Sequence, residues 1–106
     1  MPDQLGVHRN PGRNKAAIPF VVTVQSNRFR DSGQRVVVPL LDAGMFGAPD
    51  GDICPRFRIE DRDVVLDPLR ITNVPRDALG PAVTSLAGEG DRIMLALDIL
   101  LSRAWR

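Results

Sequence analysis

Hydrophobic residues in the first two thirds of the chain come in short runs, several of them alternating with polar residues, and this pattern predicts β-strands. Phe20, Val22 and Val24 fall on one face of such a strand, and the residues between them fall on the other face. Phe57 and Ile59 are predicted to face inward, because arginines and a glutamate alternate with them. The predicted strands cover residues 5–9, 18–26, 35–41, 53–60 and 64–72. We therefore expect a mainly β domain.

Two prolines set limits on these strands. Pro39 lies within the run 35–41 and has no N–H for a ladder hydrogen bond, so we expect that strand at a sheet edge or bulged there. Pro68 divides the run 64–72, which is either a final strand or two strands. After Asn73 the pattern changes, and we expect two short helical turns before the last element.

The end of the chain predicts an α-helix that is apolar over most of its circumference. The helix starts near Gly90, with Asp91 as the predicted N-cap. Its hydrophobic stripe recurs at three- and four-residue steps and comprises Ile93, Met94, Leu97, Leu100, Leu101 and Ala104. Leu95 and Ile99 lie off this stripe. So broad an apolar surface is either buried on two sides or in contact with another subunit.

Two aromatic residues are candidates for a partner contact. Asp98, Ser102 and Trp105 share a narrow face of the last helix, because the steps between them are four and three residues. Trp105 packs either within its own dimer or outward as an anchor for a partner. Phe29 lies between two arginines, and it either contacts a partner or folds back over the sheet.

Composition and charge narrow the function classes. The chain has 106 residues, enough for one domain, with a formal net charge of +1. That charge gives no strong field for nucleic acid or a membrane surface. The basic residues are one lysine and thirteen arginines. This bias reflects either genome composition or bidentate recognition of carboxylates and phosphates.

Few residues offer catalytic or metal chemistry. His8 is the sole histidine and is expected to be exposed or at a strand edge, while Cys54, the sole cysteine, is expected to be a small buried residue. Asp61 and Asp63 are read as a solvated turn. We expect no metal, no cofactor and no catalytic residues. The sequence also predicts no signal peptide and no membrane span, so we expect the protein in the cytoplasm. A binding protein is favoured over a conventional enzyme.

Five sequence segments and the closing helix together resemble the CcdB family of toxins. In chain order the segments are VHRNPGRN, IPFVVTVQSN, RVVVPL, ICPRFRIED and ITNVP. The resemblance runs from about Val7 to about Leu101 and implies one domain, residues 1–106, with a twisted antiparallel sheet of SH3-like type shared with MazF toxins. It also implies a symmetric homodimer whose C-terminal helices lie by the dimer axis, with Met94, Leu97 and Leu100 in the interface.

The resemblance also implies a function. CcdB-like proteins are toxins of type II toxin–antitoxin modules that bind the A subunit of DNA gyrase and trap the cleaved DNA complex. An antitoxin similar to CcdA neutralises the toxin with a disordered segment. DNA is reached only through gyrase or in an antitoxin–toxin repressor complex, which gives a role in transcription regulation. The implied gyrase-binding residues are Ser26, Arg28, Phe29, Asp98, Leu101, Ser102 and Trp105.

The chain departs from the family pattern at both gyrase-binding stretches. The family ends in Trp-Gly-Ile directly after the helix, where this chain has Ser102 and the two residues after it, with Trp105 further along. Arg28 and Phe29 replace isoleucines. Either Trp105 replaces the family tryptophan, or the toxin has decayed and binds only antitoxin. A third reading is a MazF-like endoribonuclease using the arginines of the run 53–60, Arg56 and Arg58.

Overall fold

An antiparallel sheet curls into a nearly closed SH3-like barrel with a helix at its C-terminal end, as a computed structural model of residues 4–46 and 53–103 shows. The strands are β1 (Gly6–Arg9), β2 (Phe20–Thr23), β3 (Gln34–Asp42), β4 (Arg56–Ile59), β5 (Arg62–Leu66), β6 (Thr72–Pro75) and β7 (Thr84–Ser85). The helices are α1 (Ala43–Phe46) and α2 (Gly90–Asp98), which continues into a π-helical turn (Ile99–Arg103). Single 3-10 turns are Asn27–Phe29, Pro68–Arg70, Arg76–Ala78 and Ala87–Glu89. The mainly β fold expected from the sequence is confirmed.

The central strand is β3, which pairs on both edges. The sheet order is β4-β5-β3-β2-β1-β7, and β6 also pairs with β3. One edge of β3 pairs with β2, and the other pairs with β6 over residues 34–37 and with β5 over residues 40–42. The nine residues of β3 therefore carry two partner strands in succession on one side.

The expectation that Pro39 puts its strand at an edge or in a bulge was wrong. Pro39 pairs with Val21 of β2 in unbroken register. Its carbonyl accepts a hydrogen bond from the amide of Asp67 at 3.2 Å, so its backbone polar groups face the edge shared by β5 and β6. The missing N–H therefore falls between the end of one partner strand and the start of the next, where no ladder bond is lost.

Two sequence expectations near the end of the chain also need correction. The second expected helical turn is instead strand β7, whose Thr84 and Ser85 pair with β1. Asp91 is not an N-cap, because α2 begins at Gly90 and Asp91 lies in its first turn. The preceding 3-10 turn runs directly into the helix, and the amide of Gly90 already donates to the carbonyl of Ala87. Pro68 does divide its run, with β5 before it and β6 after it.

The core fills the inside of the barrel and is closed by α2. Phe20, Val22 and Val24 face this core, as predicted from their alternation. Ile93 and Ala96 of α2 are fully buried against it. The opposite face of the sheet is also covered, and its buried residues include Val21, Thr23, Val37, Leu41 and Val65. Both faces of the central strands are therefore hydrophobic.

His8 is buried, contrary to the expectation of an exposed or edge histidine. Only 1% of its surface is exposed, and its Nδ1 atom lies 2.7 Å from the carbonyl oxygen of Gly80. The reason is the position of β1, which pairs with β2 on one side and β7 on the other. Its Nε2 atom has no hydrogen-bond partner among the described residues.

Asp42 at the end of β3 ties three segments together and gives a pH-dependent prediction. Arg62 donates from Nε to an Asp42 carboxylate oxygen at 3.0 Å and from Nη2 to the carbonyl of Ala16 at 2.7 Å. This side-chain hydrogen bond from Arg62 lowers the pKa of Asp42 below its ordinary value, against a smaller opposing effect of desolvation. A lowered folded-state pKa contributes stability above the unfolded pKa that is lost as the pH falls through the folded value.

We expect Asp42→Asn to lose this contribution, so the variant's free energy of unfolding falls less steeply than that of the wild type on acidification. Urea unfolding from neutral pH to about pH 3 measures it. Asp31→Asn is the control, because Asp31 is exposed and forms no ion pair with a described residue. If the free energy of unfolding falls equally steeply on acidification in Asp42→Asn and in the wild type, the prediction is contradicted.

Candidate functional site

A hydrophobic groove lies between the turn after β2 and the C-terminal end of the helix. Its volume is about 550 Å³. We call it the apolar groove, and its apolar lining comprises Val24, Phe29, Val36, Ile71, Leu97 and Leu101. The polar groups in its wall are side-chain amides and one hydroxyl, from Gln25, Ser32, Gln34 and Asn73. The groove therefore has the chemistry of a binding surface for apolar side chains.

The turn after β2 holds Phe29 outward at the edge of the apolar groove. The Ser26 hydroxyl accepts a hydrogen bond from the amide of Arg28 at 3.1 Å and caps the 3-10 turn. The side-chain amide of Gln25 donates to the carbonyl of Phe29 at 3.0 Å. Phe29 remains 57% exposed, so its ring does not fold back fully over the sheet. A large exposed aromatic side chain on a hydrogen-bonded turn is a typical protein-interface anchor.

A buried arginine supports this turn from below, and sequence reasoning missed it. Arg35 is only 3% exposed. Its guanidinium donates to the carbonyls of Ser32 at 2.9 Å, Gln34 at 3.0 Å and Arg30 at 2.7 Å. No ion pair joins Arg35 to a carboxylate in the described part of the chain. Arg35 and Val37 lie two residues apart on one strand and so share a face, which is buried. This spacing is the sequence feature from which the burial of Arg35 could have been predicted.

The helix end forms the other side of the apolar groove. Leu101 is 70% exposed and lines the groove. The Ser102 hydroxyl donates to Asp98, lying 2.7 Å from its carbonyl oxygen and also within hydrogen-bond distance of its carboxylate. Asp98 and Ser102 are therefore neighbours on one face, as their spacing predicts. Trp105 lies outside the described residues, and its role stays a prediction.

The structure brings together only part of the predicted site. Phe29 and Leu101, from stretches about seventy residues apart in the sequence, line the same groove. Ser26, Arg28, Asp98 and Ser102 are not among the residues that line it. Ser26 acts instead through the geometry of the turn, and the Asp98–Ser102 pair lies beside the groove on the helix.

The predicted dimer residues lie at different depths along the helix. Met94 is 38% exposed, whereas Leu97 and Leu100 are half-buried. Leu97 packs against the barrel core and also lines the apolar groove. Leu95, which lies off the predicted stripe, is 42% exposed. The helix therefore presents apolar surface on more than one side, which is the property that suggested a second contacting subunit.

Residues 4–46 and 53–103 contain neither a cluster of metal-ligating side chains nor a helix suited to a bilayer. No group of three or more histidine, cysteine, aspartate or glutamate side chains in these ranges is arranged to hold a metal ion. None of the helices in these ranges has the length and hydrophobicity needed to cross a bilayer.

Cys54 is buried, as predicted, in a small cluster with Ala43 and Val65.

A family model described as CcdB protein matches residues 4–102, a range that contains every residue lining the apolar groove. No curated protein matches the chain.

Proposed function

Because the chain belongs to the CcdB family, whose members are toxins of toxin–antitoxin systems, we propose that it poisons DNA gyrase. In this proposal it binds the A subunit and holds the enzyme in the state in which DNA is cleaved and covalently attached. The chain itself does no covalent chemistry, since gyrase makes the bond to DNA. The toxin needs only to bind the cleaved state more tightly than the resealed state.

The observation that supports this proposal is the pairing of Phe29 and Leu101 at one groove. Both side chains are more than half exposed, at 57% and 70%. Exposed large hydrophobic residues that share a surface mark protein–protein contacts. The two residues come from the two stretches where the family resemblance places the gyrase contact. Phe29 also supplies a larger apolar surface than the isoleucine it replaces.

We further propose that the toxin acts as a homodimer in the cytoplasm and is neutralised by an antitoxin similar to CcdA. Met94, Leu97 and Leu100 are the proposed dimer contacts. Since Leu97 also lines the apolar groove, the dimer contact and the gyrase contact adjoin along one helix. DNA is contacted through gyrase or within an antitoxin–toxin complex that represses transcription.

Trapping of cleaved DNA by gyrase, with purified protein, tests the proposal. We expect Leu101→Asp to raise the half-maximal trapping concentration about thirtyfold, equivalent to about 2 kcal/mol, because it puts a charge into an apolar contact. Leu69→Asp is the matched control, because Leu69 is 72% exposed and does not line the apolar groove. Leu69→Asp is expected to trap as the wild type does.

The outcomes separate the alternatives. Equal trapping by Leu101→Asp and the wild type would show that the apolar groove is not the gyrase surface, and Trp105→Ala would then test the tryptophan as the anchor. No trapping by the wild type at micromolar concentration would refute the gyrase proposal. RNA cleavage lost in Arg56→Ala would then support a ribonuclease, and antitoxin binding without either activity would support a decayed toxin.

A further inference from the structure

A second cleft lies where the barrel fails to close. In the sheet order, β4 and β7 are the terminal strands, so the opening lies between them. A cleft of about 510 Å³ is found there, lined by residues of β4 on one side and by Leu86 and the start of α2 on the other. We call it the edge cleft. It shares no lining residue with the apolar groove.

One wall of the edge cleft is an unpaired strand edge. Within the described residues, β5 is the only strand that pairs with β4. The carbonyl of Pro55 accepts from the amide of Leu66 at 2.9 Å, which sets the alternation of bonded pairs along β4 and β5. By that alternation, the backbone N–H and C=O groups of Arg56 and Arg58 point away from β5. Such groups are ready to pair with another extended chain.

The charged side chains around the edge cleft carry a net positive charge. Arg56, Arg58 and Arg92 line it, together with the carboxylates of Asp63 and Glu89. This gives three positive charges against two negative ones.

Existing contacts leave these arginines open to a new carboxylate. Arg58 pairs with Asp63 at 3.0 Å and Arg92 pairs with Glu89 at 3.3 Å, with all four side chains more than two fifths exposed. Exposed ion pairs of this kind contribute little and are readily exchanged. Arg56 forms no ion pair with a described residue.

Arg92 is held in place across the edge cleft. Its guanidinium lies over the ring of Phe57, 4.7 Å from the centroid, and donates from Nη2 to the carbonyl of Arg56 at 3.0 Å. A preorganised guanidinium loses little freedom when it binds a carboxylate in bidentate geometry. The remaining edge groups of β4, the N–H of Arg56 and both polar groups of Arg58, stay directed into the cleft.

We propose that the edge cleft binds an extended, acidic polypeptide segment of a partner protein, which adds a strand to the free edge of β4. Alternate side chains of a strand point to one face, so acidic residues two positions apart would meet Arg56 and Arg58. Backbone pairing gives affinity and the carboxylates give selectivity. Peptide is favoured over nucleic acid because the edge offers alternating N–H and C=O groups, and the one aromatic ring is covered by Arg92.

Fluorescence polarisation with the full chain tests the inference. The probe is a labelled short peptide in which glutamate alternates with valine, and the charge control replaces glutamate by lysine. We expect the glutamate peptide alone to bind, and the double change Arg56→Gln with Arg58→Gln to weaken its binding at least about tenfold. Arg70→Gln is the matched control, since Arg70 is also about half exposed and pairs with Asp67 at 3.0 Å.

N-methylation of the peptide distinguishes strand addition from charge attraction. Methylating alternate amides in one register should abolish binding, and methylating the other set should not, because only one set faces β4. If neither methylation pattern weakens peptide binding, strand addition is overturned. Equal binding of a short RNA of matched charge would overturn it as well. No binding of the peptide at all would overturn the inference. The double variant should still trap cleaved DNA as the wild type does, so this inference and the gyrase proposal fail independently.

Discussion

Ile93→Ala is expected to lower the free energy of unfolding by about 3 kcal/mol, because it removes a fully buried side chain and leaves a cavity that the barrel cannot refill. Ile93 is 0% exposed and packs with the barrel core, and with Ala96 it makes up the buried residues of α2. Leucine, isoleucine and valine from the strands surround it, so the loss of packing is not compensated by water. Urea unfolding followed by circular dichroism measures the change.

Leu95→Ala on the same helix is the control. Leu95 is 42% exposed, so its truncation is expected to cost no more than about 0.5 kcal/mol in the monomer. Both variants gain a little helix propensity from alanine, so their difference reports burial. Equal costs would mean that α2 does not dock on the barrel through Ile93. A cost for Leu95→Ala that grows with protein concentration would place Leu95 in the dimer interface.

Arg35→Met is expected to destabilise the protein by about 2–4 kcal/mol, since hydrogen bonds from a charged donor are among the strongest in proteins and three carbonyls lose one together. Those carbonyls belong to Arg30 and Ser32, directly after the turn that carries Phe29, and to Gln34 at the start of β3. The variant should therefore also weaken trapping of cleaved DNA. That weakening should persist at a temperature where the variant is fully folded.

Two further variants make this test specific. Arg70→Met removes an exposed arginine with a single ion pair, to Asp67, and should cost less than about 1 kcal/mol. Arg35→Lys keeps the charge but cannot fork to several carbonyls, so it should fall between the wild type and Arg35→Met. If Arg35→Met is as stable as the wild type, water hydrogen-bonds to these carbonyls as favourably as the guanidinium does.

Local pattern predicted the strands well and the surroundings of the strands poorly. Alternation placed Phe20, Val22 and Val24 correctly, because one buried face is enough to set the period of two. Alternation could not show that the opposite face of these strands is also buried, because the segments beside that face, around Asn10 and in β6, are distant in the sequence. His8 and Pro39 were misjudged, and Arg35 was missed, because neighbouring strands from elsewhere in the sequence surround them. Each lies where long-range pairing, which no short window of sequence contains, decides the environment.

The candidate site divides in the same way. The resemblance named Phe29 and Leu101, but only the fold shows that they face one groove. The sequence singled out Arg56 and Arg58 as an exposed arginine pair. It could not show that Arg92, thirty-six residues after Arg56, donates a hydrogen bond to the Arg56 carbonyl. Residue type suggested which side chains bind, and tertiary contacts determined which of them act together.

The pairing of β1 with β7 has a consequence for the synthesis of the toxin. This contact joins Gly6 to Ser85 and Val7 to Thr84, so one edge of the first strand stays open until Ser85 has left the ribosome. The apolar groove forms later still, because Leu97 and Leu101 follow β7 in the sequence. In the proposed function, a nascent chain therefore cannot bind gyrase through this groove before Leu101 has been synthesised and has left the ribosome.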